Sequence, residues 1–289
     1  MSAAGTLIGT RVLRGLPFFV RFLTVALMGG GFIGGVANFL LHKDLWVWVM
    51  PDLAHRFLAA AAFAYVVGSA VTLTRSRWAE SEFLLATVML YGVPLVAAIL
   101  MQPDLIDWER PIAWLFVLIV GQAMVISLCY LWANRNRARR DEDGAARRLS
   151  AAFRAYAIAV GLLALVVGLT VYTVPKQSGF LWPWAELRSW KPLDARLIAS
   201  MLITVGGGAL LIAWRRDRGA AQVWLAMLGA YCLVAAVALA LHAAQTPTFV
   251  GTNAVYIASF AVIFCGGVGL GVRRTYEAST PLISVRRPT

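Results

Sequence analysis

Charge is scarce in this chain, and acidic charge scarcest of all. Of 289 residues only 14% are charged, and 14 are Asp or Glu. None of those acidic side chains falls inside a long apolar run; Asp44, Asp52, Glu80, Asp104 and Asp194 all sit at the ends of such runs or between them. Cation-coupled transporters place carboxylates within the membrane, so carboxylate-driven coupling is not expected. The three cysteines, Cys129, Cys232 and Cys265, lie in separate apolar runs without C-x-x-C spacing. That excludes a disulfide framework and a dithiol redox motif, and leaves small apolar packing residues. The three histidines, His42, His55 and His242, are too few for a di-haem bundle and sit at run ends, where a solvated interfacial role is expected before metal ligation. No H-E-x-x-H, phosphate-binding glycine loop or nucleophile elbow occurs. No catalytic residue, metal or cofactor is therefore expected.

What is abundant is apolar surface. Hydrophobic residues make up 60% of the chain and the mean hydropathy is +0.73, which excludes a disordered, collagen-like or ordinary soluble protein. A membrane-spanning helix needs about 20 predominantly apolar residues. Eight uncharged runs meet that need: 22–41, 57–74, 83–101, 111–134, 155–174, 197–214, 219–241 and 255–272. Soluble core helices keep a polar face, which these lack. A membrane barrel would show alternating segments of about ten residues, also missing. The fold class expected is an all-α membrane protein of eight transmembrane helices.

Basic residues near the run ends give the orientation. Nineteen of the 26 Lys and Arg fall on the side that holds the N-terminus, the C-terminus and the linker 135–154, and seven on the other. Both termini are then cytoplasmic. The first run is longer than the apolar core of a secretory signal, about 7–15 residues, and no A-x-A site follows Leu41; it is read as a retained span, preceded by a short interfacial helix over 6–14. The arginine-rich linker is expected to contact anionic lipid, at about 1 kcal/mol per residue near the surface. It has no interleaved aromatics for base stacking, so nucleic acid is not an expected partner.

Sliding the chain against itself exposes a repeat. At an offset of 140 residues, 53–101 aligns with 193–241 without a gap and with nine identities in 49 positions, among them Arg56/Arg196, Arg75/Arg215 and Tyr91/Tyr231. Just upstream, Trp46-Val47-Trp48 precedes Pro51 and Trp182-Pro183-Trp184 precedes Pro192. Four spans per unit is an even number, so the expectation is two parallel four-helix repeats, 1–134 and 155–289, related by a pseudo-two-fold axis along the membrane normal. The residues Leu181-Trp182-Pro183-Trp184, followed by Pro192-Leu193 and Arg196, resemble those of uncharacterised multi-pass bacterial integral membrane proteins. The resemblance implies the bacterial cytoplasmic membrane and brings no activity.

The eleven tryptophans cluster near the run ends. Trp46, Trp48, Trp108, Trp182, Trp184 and Trp190 fall on the outer side and Trp78, Trp132 and Trp214 on the inner, as an interfacial belt or, for the doubled W-x-W, as a lid. The glycine clusters inside the runs permit close helix approach. Gln122, Asn38, Tyr91 and Tyr231 are polar residues within spans; they make interhelical hydrogen bonds or line a solute path. Arg56 and Arg196 are expected at the outer ends of the second and sixth spans. There they snorkel to the interface, tie the W-x-W loops to their helices, or hold a lipid phosphate. Two functions remain: a non-catalytic membrane subunit or scaffold, or a small-solute transporter or channel with its path between the repeats. Expected partners are membrane lipids, with other integral membrane subunits or a second copy of the chain as protein partners.

Overall fold

The computed structural model describes residues 17–42, 48–74, 78–135, 149–178, 191–245, 255–256, 258–259, 261–263 and 266–267. Seven helices of 22 to 28 residues are long and apolar enough to cross a membrane. They are α1 (Phe18–Phe39), α2 (Asp52–Thr74), α3 (Trp78–Met101), α4 (Pro111–Ala133), α5 (Ala151–Thr173), α6 (Pro192–Arg215) and α7 (Arg218–Gln245). Helical residues recur within 255–267; most of the eighth apolar run, with Cys265, lies outside the described residues. Among the described residues there is no β-strand. The protein is a polytopic membrane protein.

The chain enters and leaves these helices at points its own residues mark. Pro111 and Pro192 stand in the first turns of α4 and α6, where a missing N–H costs nothing. Ser150 caps α5 by accepting from the Phe153 amide at 2.9 Å, and Asp217 accepts from the Ala220 amide at 2.8 Å at the start of α7. α6 ends at Arg216 in the left-handed conformation, with φ 58°.

Burial sorts the helices into two shells. In α2, α3, α6 and α7, between 50% and 67% of the most apolar stretch is buried; in α1, α4 and α5 only 17% to 28% is. The inner four make a core of Leu53, Phe57, Leu84, Leu95, Leu193, Ile212, Leu228 and Leu239, all nearly inaccessible. The outer three turn rows of large apolar side chains outward, among them Phe22, Phe32, Leu118 and Leu163, as lipid-facing helices do. α1 packs chiefly on α2, α5 on α6, α2 on α7, α3 on α6 and α4 on α3.

Glycine sets the closest of these approaches. A Cβ at Gly206 of α6 would lie 2.7 Å from the Leu165 amide nitrogen and 2.8 Å from the Gly161 carbonyl oxygen of α5, so only glycine fits that crossing. Gly29, Gly30 and Gly34 of α1 face open space instead; they keep no neighbour close.

Candidate functional site

Polar side chains gather at the two ends of the bundle. At the end where α2 and α6 begin and α1, α5 and α7 finish, three interactions bring distant parts of the sequence together. The Trp48 indole Nε1 donates to Asp194 Oδ1 at 3.0 Å. Asp194 has no exposed surface, and its other oxygen accepts from the Lys191 amide at 3.3 Å. His55 Nδ1 and Asn38 Oδ1 lie 2.9 Å apart, joining α2 to α1, while the Asn38 amide donates to the Gly34 carbonyl at 2.8 Å.

The two repeated arginines share this end but not a surrounding. Arg196 donates from Nε to the Tyr172 carbonyl at 3.2 Å, and its guanidinium carbon lies 5.9 Å from the Tyr172 ring centroid. Arg56 is only 6% exposed. Its Nε and Nη1 meet no hydrogen-bond acceptor among the described residues, and it lies within electrostatic reach of His242. The expectation of a snorkelling side chain therefore fails for Arg56. The same holds for the histidines expected to be solvated: His55 and His242 are both buried. Trp48 is likewise buried in a hydrogen bond and is no part of a belt. Trp46, Trp182, Trp184 and Trp190 lie outside the described residues, and with them the test of a lid.

The opposite end, where α3 and α7 begin, is organised around carboxylates. Glu82 Oε1 pairs with Arg215 Nη1 at 2.5 Å, the arginine about one-third exposed and the glutamate buried. Glu80, earlier in the same turn of α3, is buried beside Gly219. Sequence reasoning put these acids at helix ends but did not foresee their burial. The available signal was that Arg215 belongs to a repeated pair and stands where α6 stops. Trp132 and Trp214 do point outward near this end, as a belt requires, while Trp78 is buried.

Between the two ends the centre is mostly apolar and nearly closed. One small gap lies among Met201, Val205, Trp224, Met227 and Leu228, with Thr87 and Thr204 in its wall. Another, also about the size of a single water molecule, lies among Phe57, Leu58 and Ala61 of α2, Leu197, Ile198 and Met201 of α6, and Tyr91 and Tyr231. These eight residues form four pairs, each 140 positions apart: Phe57/Leu197, Leu58/Ile198, Ala61/Met201 and Tyr91/Tyr231. Of the four candidate path residues, then, Tyr91 and Tyr231 meet at the centre. Asn38 is committed to His55 at the bundle end. Gln122 is exposed on α4 and faces away from the gap. No protein-family model, curated protein or solved structure matches this chain. Among the described residues no group of three or more His, Cys, Asp or Glu could hold a metal ion.

Proposed function

We propose that this protein is a non-catalytic integral membrane subunit or scaffold, resident in the bacterial cytoplasmic membrane with both termini in the cytoplasm. One observation carries the reading. The centre of the bundle closes to gaps of single-water size, walled by apolar side chains with two tyrosines at one and two threonines at the other, while α1, α4 and α5 offer wide apolar faces to their surroundings. A protein built to pass solutes needs polar groups along a continuous route. A protein built to associate needs outward faces. The excess of Arg and Lys near the linker end supports the orientation.

The internal duplication gains support from the packing. Outer helices α1 and α5 lie on α2 and α6, the pair 140 residues apart, and the cross-contacts α2 on α7 and α3 on α6 exchange under the same relation. A pseudo-two-fold axis through the central gap accounts for all of these together with the four lining pairs. Arg56 and Arg196 stand at equivalent places. Their guanidinium groups suit an anionic oxygen, such as a lipid phosphate at the outer interface. Arg56, whose Nε and Nη1 meet no acceptor among the described residues, has capacity for it, and because that side chain is buried the phosphate reaches it only when the segment before α2 opens.

A second reading rests on that same gap. Symmetric gaps between repeats are where transporters bind solutes, and Tyr91 and Tyr231 would supply the polar contacts. Single cysteines at Ala61 and Met201, in a chain whose three native cysteines are replaced, separate the two. The scaffold reading expects both to resist a membrane-impermeant maleimide applied to either side of sealed vesicles. Labelling at either position places water at the centre and favours transport.

A further inference from the structure

Gln122 occupies the middle of α4, eleven residues from each end, and is exposed. At about 1.5 Å per residue that is roughly 16 Å from either helix end, the midplane of a hydrocarbon core about 30 Å thick. Its side chain cannot reach water from there. The Gln122 amide meets no donor or acceptor among the described residues, and lipid tails supply neither. Polar side chains at such depth in other proteins bond to a neighbouring helix.

The residues around Gln122 show what kind of neighbour fits. Leu115, Leu118, Gln122, Val125, Cys129 and Trp132 are all exposed. Their spacing alternates three and four, the seam of a parallel coiled coil with Gln122 at its centre. Gly121 flanks the seam with nothing within 4 Å of a Cβ built on it, which leaves room for a close approach. We propose that this seam joins two copies of the chain through a two-fold axis along the membrane normal.

The occupant follows from depth and chemistry. Two copies inserted in one membrane share orientation and height, so an isologous pair sets Gln122 against Gln122. A primary amide carries both a donor and an acceptor, and each Gln122 N–H donates to the other's carbonyl oxygen. An unrelated subunit would have to bring its own polar group to the same depth. The inference deepens the scaffold reading by naming the partner, and the maleimide result at Ala61 and Met201 bears on that reading independently.

The seam carries its own probe. In the full chain with Cys232→Ser and Cys265→Ser, Cys129 is the remaining thiol, and across the axis it faces its twin. Oxidation of native membranes with copper phenanthroline should yield a dimer of the 31.4-kDa chain that reductant dissolves. Val125→Cys in a chain with all three native cysteines changed to Ser should cross-link as well, and Leu163→Cys, on the lipid-facing side of α5, should not. Gln122→Leu should lower the cross-linked fraction at low protein density by about three- to tenfold, and Gln122→Asn should restore part of it. Cross-linking at Leu163 equal to that at Val125, absence of cross-linking at both Cys129 and Val125, or an unchanged yield in Gln122→Leu overturns the proposal.

Discussion

Trp48 donates its indole N–H to Asp194 across 3.0 Å, joining residues 146 positions apart at a point with no access to solvent. The contact ties the segment before α2 to the first turn of α6. It satisfies one oxygen of a carboxylate that would otherwise rely on the Lys191 amide. Trp48→Phe keeps the ring packing and removes the donor, leaving a buried acceptor unpaired at about 1–3 kcal/mol. Asp194→Asn keeps an oxygen for the indole and should cost less. Thermal unfolding in mild detergent checks the order; equal losses in the two variants would assign the effect to packing.

Glu82 and Arg215 make an unequal pair. The glutamate is buried and the arginine about one-third exposed. Arg215→Gln strands a carboxylate away from water, costing up to about 3 kcal/mol. Glu82→Gln leaves a cation that water reaches, at about 1 kcal/mol or less. The expected result is a distinctly lower melting temperature for Arg215→Gln than for Glu82→Gln in the same detergent.

The span-forming helices were legible in the sequence because a bilayer demands long uncharged runs, whereas helices packed in water keep a charged or polar stripe. Their ends moved by only a few residues: α1 begins at Phe18 where the uncharged run begins at 22, since Arg21 is accommodated within its first turn. Burial of polar groups was not legible. Nothing local in the sequence distinguishes His55, which meets Asn38 on α1, from a histidine left in solvent. Nor does anything local reveal that Arg56 turns into the bundle while Arg196 finds the Tyr172 carbonyl. These outcomes depend on which helix lies alongside. The repeat offset, though, already contained the central gap: the residues that line it are pairs at that offset, Tyr91 and Tyr231 among them.

Glycines in this chain divide by neighbour, and substitutions should divide with them. Gly206→Val forces α5 and α6 apart, since its Cβ would fall within 3 Å of two backbone atoms; a loss of about 1–3 kcal/mol is expected. Gly29→Ala and Gly34→Ala meet nothing and replace a poor helix former with the best one, worth up to about 1 kcal/mol in the opposite direction. Melting temperatures in detergent should fall for the first and hold or rise for the others. A fall at Gly34 would point to a partner seated on that face of α1.

Arg56 and Arg196 separate by the same logic applied to ligands. Arg196 spends its Nε on a backbone carbonyl, whereas Arg56, though buried, keeps two nitrogens, Nε and Nη1, without an acceptor among the described residues. If Arg56 holds a lipid phosphate, native mass spectrometry of the detergent-purified chain should show anionic lipid retained by the parent and by Arg196→Gln. Arg56→Gln should lose it, and Arg56→Lys, which keeps the charge but not the planar fork, should retain it weakly. The side of the membrane matters equally, because that phosphate must belong to the outer leaflet if the linker is cytoplasmic. A single cysteine at Asp107, in the turn between α3 and α4, should then react with impermeant maleimide on intact cells, and one at Arg140 in the linker only after lysis. The reverse pattern would turn the bundle over and move Arg56 to the cytoplasmic leaflet, where anionic headgroups are more plentiful. The lipid contact would survive that result; the assignment of both termini to the cytoplasm would not.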